Sequence, residues 1–172
     1  SQIDPAVDNV LVGNYMVVNN VIKKCGANCG LNAINAIRET FVDFDHIRVH
    51  PIMTFGGAMV NAIPEKAVLE SYVRGKTNEA IIAANKKVNR ALVGAAISLG
   101  ANVEIIDVPG YAPLVNDPGM IAMAKDAFER LFPGEPFKVL SGYSTGSTDM
   151  GDLSAVMPVV HPYAAGNSGT PH

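Results

Sequence analysis

Along the first part of the chain, hydrophobic positions repeat with two different periods, and each switch of period marks an element. Residues 15–22 (YMVVNNVI) are rich in β-branched side chains and predict a strand. In 27–41, Leu31, Ile34, Ile37 and Phe41 recur at helical spacing. Over 47–55 the period returns to strict alternation, with Ile47, Val49, Pro51, Met53 and Phe55 on one side and His50, Ile52 and Thr54 on the other. Pro51 has no N–H to give to a ladder, so this strand belongs at a sheet edge. Residues 67–74 predict its partner. Thr77 or Asn78 can cap a long helix with the stripe Ile81, Ala84, Val88, Leu92, Ala95 and Leu99, which Gly100 ends. Residues 103–108 predict one more strand. The order β-α-β-β-α-β is that of an α+β, ferredoxin-like split βαβ sandwich: a four-stranded antiparallel sheet with both helices on one face.

Beyond Pro109-Gly110 the periodicity weakens, and Gly110 is the expected boundary between a domain of residues 1–110 and a segment of 111–172. Pro118-Gly119 can open a helix running to 131, and 137–140 predict a short strand. A loop of glycines and hydroxyl residues, 141–147, leads to a helix start around 150–156 and a buried strand at 158–161. This segment has no sheet of its own to complete, so one of its sides should be apolar.

Composition narrows the function classes. With 172 residues, 48% apolar and 17% charged, the chain can bury a core. A net charge of -3, scattered Lys and Arg and few aromatic residues argue against nucleic acid. No apolar run is long enough for a bilayer, and the opening SQIDPAVDN lacks the basic and apolar regions of a signal peptide, so the expected compartment is the cytoplasm. Cys25 and Cys29 share a helix face without a nearby histidine, a poor zinc set, and are expected as small buried hydrophobes.

Two blocks carry a resemblance. In the first, Gly56-Gly57 leads into Asn61-Ala62-Ile63-Pro64, and Arg74 follows on the next strand. The second is GSTDMGDLSAVMPVVHPYAAGNSGTPH at the C-terminus. Together they resemble the dinuclear-zinc amidohydrolases and peptidases, the family of aminoacylases, carboxypeptidase G and p-aminobenzoyl-glutamate hydrolase. The resemblance implies that this chain holds the family's dimerisation (lid) domain and the C-terminal portion of its catalytic domain. It implies hydrolysis of an amide bond in an N-acyl amino acid or small peptide, two zinc ions activating a water, a glutamate base, and a homodimer formed through the lid. The half that carries most metal ligands in the family is not in this sequence, so the isolated chain is expected to be inactive and to hold no zinc by itself.

The resemblance also assigns roles to residues. His172 matches a zinc ligand, Asn61 a donor to the oxyanion, and Arg74 a clamp for a substrate carboxylate. Gly146, Ser147 and Thr148, followed by Asp149, match a loop whose backbone N–H groups face substrate. Each has a plainer role: Asn61 suits a turn, Arg74 a strand-end surface charge, and Thr148 or Asp149 a helix cap. His50 and His161 lie in apolar stretches and are left outside the catalytic set. There are two departures: no histidine lies between the first strand and first helix, where the family has Gly-Lys-x-x-His-Ala, and Tyr111 stands where carboxypeptidase G-like members have arginine. The competing reading is a non-catalytic ferredoxin-like module for dimerisation or small-molecule binding.

Overall fold

In a computed structural model, residues 13–19, 24–59, 61, 62, 64–139 and 148–163 are described. The chain divides into two compact units, Ser1–Pro113 and Leu114–His172, just beyond Gly110.

The first unit is built on alternation. The strands are β1 (Gly13–Asn19), β2 (Arg48–Phe55), β3 (Lys66–Arg74) and β4 (Glu104–Val108), with helices α1 (Lys24–Ile37) and α2 (Asn78–Ser98) between them. They form one 4-stranded sheet in the order β2-β3-β1-β4, every neighbouring pair antiparallel. On β3, Ala67, Leu69, Ser71 and Val73 point into the core while the residues between them face outward. Val49 of β2, Ala27 and Ile34 of α1, and Ile81, Ala84, Val88 and Leu92 of α2 join that core, so both helices cover the same side of β3. β2 is an edge strand, where Pro51, opposite Ser71, is tolerated.

Local chemistry sets the helix ends. The Thr77 hydroxyl accepts the Ala80 N–H at 3.2 Å and caps α2. Gly100, with φ +67°, turns the chain out of the helix. The buried stripe of α2 follows the expected one as far as Ala95, but Leu99 is 39% exposed because it stands past the last helical turn. Helix α1 ends at Ile37, and Arg38–Thr40 tighten into a 3-10 turn rather than continuing to Phe41. Asn85 and Asn89 each donate to Asp107 Oδ2, at 3.1 and 2.9 Å, and tie α2 to β4.

The alternation expected for 47–55 fails at its end. The register slips between Met53 and Phe55, a β-bulge, so Phe55 pairs with Val68 on the outward side and is 46% exposed.

The second unit contains α3 (Pro118–Leu131) and α4 (Met150–Ser154). Asp117 caps α3 by accepting the Met120 N–H at 2.9 Å. Two expected strands are not formed. Residues 137–139 have no ladder, and Phe137 instead packs against Phe128, 5.4 Å between ring centres. Around 158–161, the Val159 carbonyl accepts the Asp117 N–H and the His161 N–H binds Asn116 Oδ1, two isolated bonds rather than a strand pair. Among the described residues of this unit no strand exists to pair with either segment. No helix of the described residues is long and apolar enough to cross a membrane.

Candidate functional site

The chemistry-bearing residues of the first unit sit at the two ends of β3. At one end, the chain leaves β2 through Gly56-Gly57. Gly57 has φ +113°, and a Cβ placed on it would lie 3.2 Å from Pro64 Cβ, so the turn demands glycine twice over. The proline of the Asn-Ala-Ile-Pro stretch therefore closes against the glycine turn, and Asn61 is held between them, exposed in a turn.

At the other end of β3 the register places Arg74 opposite Arg48, and Tyr72 opposite His50. These four residues alternate with the buried Val73 and Val49, so all lie on the sheet face away from the helices. The Arg74 guanidinium carbon stands 5.6 Å from the centre of the Tyr72 ring, which holds the charge at the sheet end by cation–π attraction. Arg74 is half-buried and Arg48 exposed.

Beside this end, residues 38–47 are strapped down by cations. Arg38 Nη2 donates to the Val49 carbonyl at 2.8 Å and Lys87 Nζ to the Thr40 carbonyl at 2.6 Å. Lys76 Nζ lies 3.6 Å from the Phe44 ring centre. A shallow depression of about 220 Å³ opens there, lined by Arg38, Phe41, Val42, Asp43, His46 and Ile47. None of the sequence-derived site residues lines it.

In the second unit, Thr148 precedes α4. Its hydroxyl donates to Asp149 Oδ1 at 3.0 Å and accepts the Met150 N–H at 3.4 Å, while Asp149 at the cap position makes no side-chain cap bond. The local role of Thr148 is thus a turn that starts a short helix. Gly146, Ser147 and His172 lie outside the described residues. Within the described residues no three His, Cys, Asp or Glu side chains gather into a metal-holding group. His50 is exposed on the outer sheet face, and His161 keeps its ring edge-on to Tyr163 at 5.0 Å with Nδ1 buried.

Arg48, paired with Arg74, is not among the residues that the sequence motifs single out. Alternation would have put it on the outward face with His50. Its pairing with Arg74 depends on a register that the bulge at Met53 shifts and that periodicity does not reveal.

No protein-family model matches the chain. Among curated proteins it is similar to the Xaa-Arg dipeptidase of Mus musculus, 29% identical over 146 residues, covering 78% of this chain and 33% of that protein. Among solved structures it is similar to the aminobenzoyl-glutamate utilization protein of Klebsiella pneumoniae, with TM-score 0.66 and 18% identity, covering 86% of this chain and 41% of that one. A dinuclear metal binding peptidase of the M20 family from Bacillus subtilis gives TM-score 0.63 and 22% identity over 86% and 38% of the two chains. The chain spans about a third of the length of the curated relative it matches. The chain is thus similar in sequence to a dipeptidase, and it shares its fold with part of a dinuclear metal binding peptidase of the M20 family and of an aminobenzoyl-glutamate utilization protein.

Proposed function

From that kinship we propose that this chain is part of a metal-dependent hydrolase that cleaves the amide bond of an N-acyl amino acid or small peptide. Residues of the first unit serve as a ferredoxin-like lid that also forms a homodimer, and 114–172 belong to the catalytic part. The observation that carries the reading is the hairpin itself. It presents an exposed Asn61 beyond a turn that only glycine can make, and fixes Arg74 against Tyr72 at the end of the returning strand.

In this reading Asn61 donates its amide N–H to the oxygen that becomes negative as the carbonyl is attacked, and Arg74 holds the substrate carboxylate with a forked pair of hydrogen bonds. The 9 residues of β3 separate the two by about 25 Å at a strand's rise per residue, too far for one small substrate to touch both within a single chain. That separation favours a two-fold pair in which one copy's Asn61 meets a substrate held by the other copy's Arg74. Gly146, Ser147 and Thr148 would present backbone N–H groups to substrate, and His172 would be one metal ligand. Two zinc ions would supply an activated water, with their remaining ligands outside this chain. The cytoplasm is the proposed compartment.

The relatives' names differ in the residue on the carboxyl side, arginine in one and glutamate in another. The test is kinetic, on the protein carrying this chain with its metal supplied and N-acyl amino acids as substrates. Asn61→Ala should lower kcat by about 10²–10³-fold, the usual loss of one oxyanion donor, and Arg74→Ala should raise KM. Turnover indifferent to both substitutions overturns the reading.

A further inference from the structure

Residues three apart in a regular strand lie about 10 Å from each other and project to opposite faces. Met53 and Gly56 depart from that. A Cβ placed on Gly56 would stand 2.5 Å from Met53 Sδ, so the thioether already fills the space where another residue would carry its side chain. The β-bulge makes the approach: Thr54 is an extra residue between the pairs Met53–Leu69 and Phe55–Val68, and a bulge bends its strand. Met53 itself packs against the core of the first unit, opposite the buried Leu69.

The loop that carries Asn61 is thus fastened at two points. Pro64 against Gly57 closes it on itself, and Met53 against Gly56 joins its base to the core. From this arrangement we propose that Met53 is a positioning residue: it sets where Asn61 stands and touches no reacting atom. The inference deepens the proposed function and rests on Asn61 being the donor to the oxyanion. An unbranched thioether suits the place because it fills an irregular gap. Displacing a donor by about 1 Å costs up to about 10²-fold in rate, and because the donor acts only in the transition state the loss falls on kcat and spares KM.

A size swap tests the contact in this chain. Gly56, unlike Gly57, is not held at positive φ, so Gly56→Ala probes packing alone by putting a methyl group onto Met53 Sδ. Met53→Ala removes that obstacle, and in urea unfolding the double variant should be more stable than the sum of the two single losses predicts. Additive losses overturn the contact. Kinetics on the protein carrying this chain, with its metal supplied and the N-acetyl-L-amino acid it turns over fastest, tests the role. Met53→Ala should lower kcat about tenfold with KM unchanged, and Met53→Leu, of nearly the same volume, should stay within about twofold. In an Asn61→Ala background Met53→Ala should add nothing further. An unchanged kcat, a raised KM, or a tenfold loss that persists without Asn61 overturns the positioning role. Failure of the parent reading looks different: Asn61→Ala alone would leave kcat unchanged, or no N-acetyl-L-amino acid would be turned over, and the size swap would still decide the contact.

Discussion

Leu92 and Leu99 occupy the same stripe of the sequence, yet the first is 2% exposed and the second 39%. Truncating Leu92 to alanine leaves a cavity between α2 and the sheet, which costs about 2–5 kcal/mol, whereas Leu99→Ala should cost less than about 1 kcal/mol. Urea unfolding of the two variants measures both, and equal losses would contradict the placement of the helix end. The stripe up to Ala95 was legible because burial enforces the helical period. Leu99 was misread because periodicity does not say where Gly100 will let the chain leave its axis. Gly57 was legible as a turn, but the closeness of Pro64 was not, since it depends on how the loop folds back. Gly57→Ala combines a φ of +113° with a methyl 3.2 Å from Pro64 Cβ. A loss of about 1–3 kcal/mol is expected, read from the same unfolding curves.

Elements of the first unit were readable because each has a partner that enforces its pattern. The strands at 67–74 and 103–108 and the helix after Thr77 appear within a residue or so of the expected bounds. The stretches at 137–139 and 158–161 have the composition of strands, but among the described residues their own unit has no neighbouring strand, and a strand is defined by its ladder rather than by its residues. The candidate site divides in the same way. Asn61 and Arg74 were visible as motif residues, while Arg48 needed the register. Helix α3 shows the cost of a missing partner: it has no buried residue, and Met123 and Leu131 are 67% and 73% exposed. A 14-residue helix with no fully buried residue is marginal in water. In hydrogen exchange of this chain, α3 amides should exchange orders of magnitude faster than those of α2, whose core residues reach zero exposure at Val88. Equal protection in the two helices would contradict this.

At the scale of the molecule, the chain should release no amino acid from N-acyl substrates with zinc or manganese added. Metal-dependent hydrolysis needs about three protein ligands per ion, and no such group occurs among the described residues. Turnover abolished by a chelator would show the opposite. Association is the complementary expectation. An open four-stranded sheet leaves two edges, and Pro51 in β2 withholds an N–H from one of them. The other edge, β4, has no proline within Glu104–Val108, and α2 is bound along it through Asn85 and Asn89. Two copies joining antiparallel at β4 would satisfy that edge isologously and set their α2 helices side by side. Sedimentation at micromolar concentration should therefore give a dimer. Glu104→Pro removes one N–H at the first residue of the strand, where proline is tolerated, and should shift the species to monomer with its circular dichroism intact. A monomeric parent chain, or a dimer indifferent to Glu104→Pro, would move the contact away from β4.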